Sequence, residues 1–342
     1  RDQAVFHICG TKKALKADGI QEPQLIAILV MPDGDREYIG GVSENKIRTD
    51  EAILVQRIEA LLQETGVQPL NESLSDHFAI RRYGFHSYSD IFTKRQLLFL
   101  LTFAKFIPVA HGQMLSQRYG TERAAAVTTY LGLLLSNLVN DHNVFCRWQA
   151  TREQTVPIST YSQPSMIWTY VELNPFASIK SLHSYADRLT RAIEANVDVE
   201  LPAFVQCASA TSLPYPDAFF DGIVTAAPYY DAVPYADLSD IYFVWHKRSI
   251  AHLYPNEFGS PLTPKTDEIV VVHKSVRKAD RQTAVADYRT KLGQALLEVE
   301  RVLKSGRFFT MIVPTSRADV LQDFLELTQA AGLDLVDVKR IR

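Results

Sequence analysis

From about Phe204 onward, short apolar runs alternate with segments patterned as helices, and that order admits few folds. Phe204 to Ala208 reads as a strand, Leu213-Pro214-Tyr215-Pro216-Asp217 as a turn, and Gly222 to Ala226 as a buried strand. Leu238 to Leu253 is predicted as a helix, Ile269 to His273 as a short strand, Asp280 to Leu303 as a long helix and Arg307 to Val313 as a strand. Ala318 to Ala331 and Leu333 to Ile341 complete the series as helix and strand. Parallel strands need a crossover connection, usually helical, so this alternation predicts an open α/β sheet, mostly parallel, with sites at the carboxyl ends of its strands. Its centre is Phe219 to Arg248, where an apolar strand breaks at Pro228, Tyr229 and Tyr230 before a helical pattern resumes. That is a strand ending in a site-forming loop.

The first half has a different grammar. Leu25 to Met31 is an apolar run, Pro32-Asp33-Gly34-Asp35 is a turn signal, and Arg36 to Val42 pairs back as a second strand of a hairpin. Thr49-Asp50-Glu51 opens a helix with Ile53, Leu54, Ile58, Leu61 and Leu62 at helical spacing, closed by Gly66. Leu70 to Ser89 is loop-like. Thr93 caps a helix through Leu97 to Ile107, kinked or ended near Pro108, and Thr121 to Asp141 makes another. Ile167 to Phe176 leads into a helix from about Lys180 to Ala195. The expected division is an α-rich α+β recognition or insert region over residues 1–160 and a partial sheet domain over residues 160–342.

A chain of 342 residues, 46% hydrophobic, supplies enough apolar surface for two or three domains. Its net charge of -3 excludes a global polycation, so any nucleic-acid binding must come from local basic patches. Cys9, Cys146 and Cys207 form no C-x-x-C pair, which argues against a disulfide framework or a zinc site made within the chain and fits a reducing cytoplasm. His7 and Cys9 lack a matching pair and read as a loop or strand end. No run approaches the roughly eighteen apolar residues of a membrane span, and no signal-peptide order is present at the start, so no membrane role is expected. Both ends look cut from something longer.

Two polar clusters admit more than one reading. Arg81-Arg82-Tyr83-Gly84-Phe85-His86 interleaves cations with aromatics, which suits phosphate contact and base stacking and suits equally a loop anchored by its aromatics. Asn140-Asp141-His142-Asn143, just before Cys146-Arg147-Trp148, invites a catalytic or metal role, while helix capping and turn formation explain it as well. Candidate phosphate contacts are Arg81, Arg82, Lys94, Arg95, Lys247, Arg248, Lys265 and Lys274, each also compatible with a solvated surface. Tyr235, Asp237, Ser239 and Asp240 suit capping of the helix that follows the Pro-Tyr-Tyr break, or a ligand contact.

The pieces SATSLPYPDAFFDGIVTAAPYY and EVERVLKSGRFFTMIV together resemble the third strand, acidic turn, fourth strand, catalytic loop and fifth strand of Rossmann-like S-adenosylmethionine-dependent methyltransferases. A narrower resemblance covers nearly the whole chain. QLIAILV, RRYGFHSYSDIFTKRQLL, CRW, NPF, PYYDAVPYADLSDIYFVW, LYPNEF and PLTPKTDEIV are similar to the later part of the large adenine-specific DNA methylases that carry a zinc-ribbon insert. The resemblance implies a partial Rossmann-like methyltransferase domain, double-stranded DNA with a flipped adenine as partner, and a place in a restriction-modification or anti-phage system.

In that family the catalytic loop reads Asp-Pro-Pro-Tyr-Tyr-Asp. An exocyclic adenine amine is a poor nucleophile because its lone pair is delocalised, so an Asp carboxylate and a proline carbonyl hold its hydrogens and aim the nitrogen at the methyl sulfonium. The flipped base stacks on a tyrosine, a contact typically worth about 1–3 kcal/mol. Mapped here, the motif is Ala226, Ala227, Pro228 and Tyr229, with Tyr230 beside it for DNA. Alanine has no side-chain acceptor, so this chain is expected to transfer little or no methyl. The family's glycine-rich cofactor loop is not found; Gly40-Gly41 reads as a turn. Cofactor contacts are therefore expected from Ser209, Ala210, Thr211 and Thr225, with the rest from a missing N-terminal cofactor-binding half or a companion chain. DNA contacts are expected from Arg81, Arg82, Tyr83, Lys94, Arg95, Tyr230 and Lys265, and no metal is needed. Two other readings remain open: a non-catalytic DNA-binding or assembly module, and an amino-methyltransferase acting on cytosine N4, RNA or protein.

Overall fold

The structure, a computed structural model, describes the strands Val5–Cys9 (β1), Gln24–Val30 (β2) and Glu37–Gly40 (β3) by their backbone. From residue 51 on it describes the chain except 150, 152–153, 159–162, 168, 177–179, 200–202, 228–229, 231–232, 272–279, 314, 316 and 340–342. The chain divides into two compact units, one of Arg1–Glu200 with Asp237–Thr263, the other of Leu201–Ala236 with Pro264–Arg342. These units cut the chain at other points than residue 160. The segment that follows the Pro-Tyr-Tyr break returns to the unit built by the first half.

In the first unit β1 lies between β2 and Thr169–Leu173 (β6), giving a four-stranded antiparallel sheet in the order β3-β2-β1-β6. The expected hairpin is present as β2 and β3, paired from Ala27↔Gly40 to Val30↔Glu37. Arg147–Gln149 (β4) and Gln154–Val156 (β5) form a small antiparallel pair.

The helices of this unit are Glu51–Thr65 (α1), Lys94–Ser116 (α2), Thr121–Asp141 (α3), Leu182–Glu194 (α4) and Tyr235–Ser249 (α5), the last entering the unit at Asp237. Gly66 follows α1 in the left-handed region, φ +67°, which a glycine adopts without steric cost. Thr93 and Gln96 form a capping box at the start of α2, in which each side chain accepts from the other's backbone N–H. The predicted kink or end at Pro108 does not occur, because α2 runs through it to Ser116. Proline removes one helical bond, and burial of the flanking Ala104 and Ile107 on the packed face offsets that loss.

All five helices of the unit contribute to one core cluster: Ile58 and Leu61 of α1, Leu97, Leu100, Leu101 and Ile107 of α2, Leu134, Leu135 and Leu138 of α3, Tyr185 of α4, and Ile241, Val244 and Trp245 of α5. Trp245 is 0% exposed and meets Phe92 edge-on, with ring centroids 5.4 Å apart.

The second unit is built on one parallel pair, Phe220–Ala226 (β7) and Leu303–Ile312 (β8), with Arg281–Val302 (α6) leading into β8 and Ala318–Ala330 (α7) following it. Asp280 caps α6 by accepting from Thr283 N at 2.8 Å. The register runs from Gly222↔Phe308 to Ala226↔Ile312, which places Ile223, Thr225, Phe309 and Met311 on one face. Phe309 and Met311 pack on the cluster of Tyr288, Leu292, Leu296, Val320 and Phe324 from the two helices. The opposite face carries Val224, Phe308 and Ile312, which are 75%, 70% and 47% exposed.

Gly222–Ala226 is therefore a strand, as expected, but not a buried one. Phe204 to Ala208 is not a strand, and Phe204 is 80% exposed. Residues 269–271 and 333–339 also lack strand structure, while the remainder of those two predicted strands lies outside the described residues. Apolar, β-branched sequence makes a strand only where a neighbouring edge completes its backbone hydrogen bonds. Among the described residues β7–β8 is the sole parallel pair, so the architecture is mixed α/β, with seven helices and small sheets.

Trp245→Ala should destabilise the first unit by about 3–5 kcal/mol, measured by denaturant unfolding. Among the described residues the buried Nε1 of Trp245 has no hydrogen-bond partner, so Trp245→Phe should cost clearly less. Equal losses for the two variants would contradict this account of the core.

Candidate functional site

The β7 strand ends at Ala226, whose methyl group is exposed and offers no acceptor. Ala227 is buried in the core of the second unit, and its N–H donates to Ile312 O at 2.8 Å, so β7 and β8 finish together. Pro228 and Tyr229 lie outside the described residues. Tyr230 is described, and its ring is already engaged. It meets Tyr288 edge-on at 5.0 Å, and the Arg317 guanidinium lies 5.2 Å from its centroid. Its carbonyl accepts from Val271 N at 2.8 Å.

Ser209, Ala210 and Thr211 form an exposed turn closed on itself. Ser209 and Thr211 hydroxyls are 2.8 Å apart, and Thr211 N donates to Ser209 Oγ at 3.3 Å. Among the described residues no hydrogen bond joins this turn to Thr225 or Ala226. The acidic turn that follows is better anchored. Glu298 of α6 accepts from Leu213 N at 2.7 Å, while Arg301 donates to Leu213 O at 3.0 Å, Tyr215 O at 2.8 Å and Asp217 at 2.8 Å. Hydrogen bonds from Arg301 and from Leu213 hold the Glu298 carboxyl well below the usual range, at about 2.

Several candidate DNA contacts are spoken for within the first unit. Arg81 donates to Leu74 O at 2.8 Å and pairs with Asp76 at 3.1 Å. Arg95 makes a bidentate pair with the buried Glu172, at 2.9 and 2.6 Å, to which Thr93 Oγ1 also donates at 3.1 Å. Arg82, exposed beside Arg81 at the end of the short helix Ala79–Tyr83, and Lys94 in the first turn of α2 have no ion pair among the described residues. Tyr83 packs against the core cluster of this unit.

Arg248 is a structural pin. It reaches Gln68 O at 2.6 Å, Glu72 at 2.8 Å and Pro69 O. Lys247 donates to Ser260 O at 2.8 Å. Lys265 lies in the second unit, half-buried, and Lys274 is outside the described residues.

The Asn140–Asn143 cluster also satisfies itself. The buried Asp141 accepts from both Lys180 and Tyr185, and Lys180 donates to Thr155 O at 3.1 Å. Burial lowers the His142 pKa, with Lys180 O 3.2 Å from its ring nitrogen. Asn143 Oδ1 accepts from Phe145 N at 2.9 Å. Burial pushes the Cys146 thiol up to about 12, far from a reactive thiolate. Among the described residues no group of three His, Cys, Asp or Glu side chains could hold a metal.

Two carboxylates beside the break carry roles that sequence reasoning left undivided or missed. Asp240, fully buried, accepts from both Thr263 N at 2.8 Å and Thr263 Oγ1 at 2.6 Å. Glu268 accepts from Ala236 N at 3.0 Å. Glu172 had a legible signal, an acid inside the apolar strand TYVEL; Glu268 had none. The chain matches no family model, no curated protein and no solved structure.

The Glu298 anchor implies a pH window. Its depressed carboxyl contributes stability above the ordinary carboxylate range, and that contribution is lost as pH falls from about 4.3 toward 2. The protection of the Leu213 amide, its exchange rate relative to the intrinsic rate at the same pH, should fall over that interval, and Glu298→Gln should remove that change in protection. Equal protection at both ends of the window would refute the anchor.

Proposed function

We propose that the chain is the catalytic-side part of a Rossmann-like, S-adenosylmethionine-dependent DNA methyltransferase specific for adenine N6, inactive as written. The observation that carries the proposal is the position of the altered motif. It begins where β7 and its parallel neighbour β8 end together, at Ala226 and Ile312, and open α/β sheets bind their ligands outside the carboxyl ends of their strands.

In this reading the target adenine leaves duplex DNA and stacks on Tyr229, and position 226 is where an acceptor would hold its amine. The Ser209–Thr211 turn and Thr225 offer hydroxyls to the cofactor, and a companion segment or chain supplies its remaining contacts. Arg82, Lys94 and Lys265 are the proposed phosphate contacts. Arg81 and Arg95 act indirectly, because their guanidiniums already hold Asp76 and Glu172.

The bare methyl of Ala226 also favours a second reading, a non-catalytic module that keeps the fold for DNA binding or assembly. Restoring the acceptor separates the two. Ala226→Asp places a carboxylate at an exposed position, whereas Ala227→Pro removes the N–H that donates to Ile312 O and should cost about 1 kcal/mol of stability.

In the intact parent protein, labelled methyl transfer to duplex DNA should be near background unmodified. It should rise about a hundredfold with Ala226→Asp, as expected for roughly 3 kcal/mol of recovered transition-state stabilisation. Equal rates for the two forms would sink the inactivation argument. Silence of the restored form, with DNA binding retained, would favour the non-catalytic module.

A further inference from the structure

Within the first unit, Nε2 of His111 is buried and has no hydrogen-bond partner among the described residues. The ring that carries it lies 5.1 Å from the ring of His252, centroid to centroid, at an interplanar angle of 50°. A buried polar atom left unmatched costs stability, and such atoms mark places where a water or an ion belongs.

His111 continues the packed face of α2, following Ala104 and Ile107, both buried, at helical spacing. His252 lies just beyond α5, in a turn where Leu253 N donates to Ile250 O at 3.0 Å. That turn is held to α3 on both sides of the histidine. Ile250 is buried so close to Gly132 that a Cβ added there would come within 3.0 Å of its side chain, and Tyr254 OH lies 2.7 Å from Thr129 Oγ1. Both imidazoles are carried by backbone that packing already fixes, which lowers the ordering cost of a shared ligand. His252 is exposed, and this opens the pair to solvent.

A neutral imidazole keeps a lone pair on one ring nitrogen and suits zinc, copper and nickel ions, whereas magnesium prefers oxygen. Two imidazoles sharing one ion at tetrahedral angles, with metal–nitrogen bonds of about 2.0–2.1 Å, have their centroids about 5 Å apart. The His111–His252 separation has that value.

We propose that His111 and His252 form a two-histidine site for a divalent transition-metal ion of the zinc class, with water completing the coordination. The ion supplies the partner that Nε2 of His111 lacks. Among the described residues no group of three His, Cys, Asp or Glu side chains could hold a metal, so the site is open and exchangeable, unlike a closed structural centre of four protein ligands. A bound ion clips the end of α2 to the turn after α5 and stabilises the folded unit by mass action. This assignment does not rest on the methyltransferase reading.

The test is calorimetric titration of the full chain with zinc chloride, with magnesium chloride as the control for charge alone, repeated on His111→Ala, His252→Ala and His183→Ala. His183, on α4 with its side chain 85% exposed, controls for uptake by surface histidines. The parent should bind zinc and not magnesium. His111→Ala and His252→Ala should each bind at least about tenfold more weakly, since even second-shell changes cost about 10–100-fold in metal affinity, and His183→Ala should bind as the parent does. Zinc should raise the Tm of the parent and leave that of His252→Ala unmoved. If His111→Ala fails to fold, His252→Ala, which removes an exposed ring, decides the question, together with the electron paramagnetic resonance spectrum of the copper-loaded parent, which should show coupling to two nitrogens. Parental zinc affinity in His252→Ala, a copper spectrum with one nitrogen, or no zinc uptake by the parent would overturn the assignment.

Discussion

Burial of Trp245 is the contact on which the core of the first unit depends. Its indole fills the space among Phe92 and the α2 and α3 leucines, and aromatic side chains of this size dominate core energetics. Seating Trp245 also seats Ile241 and Val244 on the same helix face, and Arg248 one turn on is then held by the backbone of residues 68–69 and by Glu72. The strand that precedes this helix belongs to the other unit, so the chain crosses between units within the first turn of α5. Within the second unit, Ala227 N donates to Ile312 O and Ala236 N to Glu268.

Charge is used mainly to hold loops in register. Glu172 gathers Arg95 and Thr93 at the start of α2, Asp141 gathers Lys180 and Tyr185, and Glu298 with Arg301 gathers the Leu213–Asp217 turn. Removing one partner of such a pair leaves the other uncompensated, which is costly where the group is buried, as at Glu172 and Asp141. A basic residue counted as a free phosphate contact in sequence is often already committed once the chain folds. Arg81, Arg95 and Arg248 all show this, while Arg82 and Lys94 keep their charge unpaired among the described residues.

The open face of the β7–β8 pair stands apart from the rest of the molecule. Parallel sheets ordinarily have both faces covered, yet Val224, Phe308 and Ile312 meet solvent while Phe309 and Met311 are packed. Alternation along each strand divides the two sets cleanly. The apolar character of the exposed set is what made Gly222–Ala226 read as a buried strand.

Helices were legible in the sequence because their signals are local: an apolar stripe at helical spacing, a cap such as Thr93 or Asp280, a closing Gly66. The end of β7 at Ala226 was legible too, since the proline at position 228 has no N–H to give a sheet ladder. Strands were legible only as propensity. Phe204–Ala208 and residues 333–339 have strand composition but pair with no strand among the described residues, and hydrogen-bond partners far away in the chain decide that outcome. The same holds for the site. Residue types alone identified Ala226 as a position without an acceptor, because a methyl group accepts no hydrogen bond in any fold. Which carboxylate steadies the motif's exit, which arginines are spent on structure and which face of the sheet stays open were settled only by tertiary contacts between residues remote in sequence.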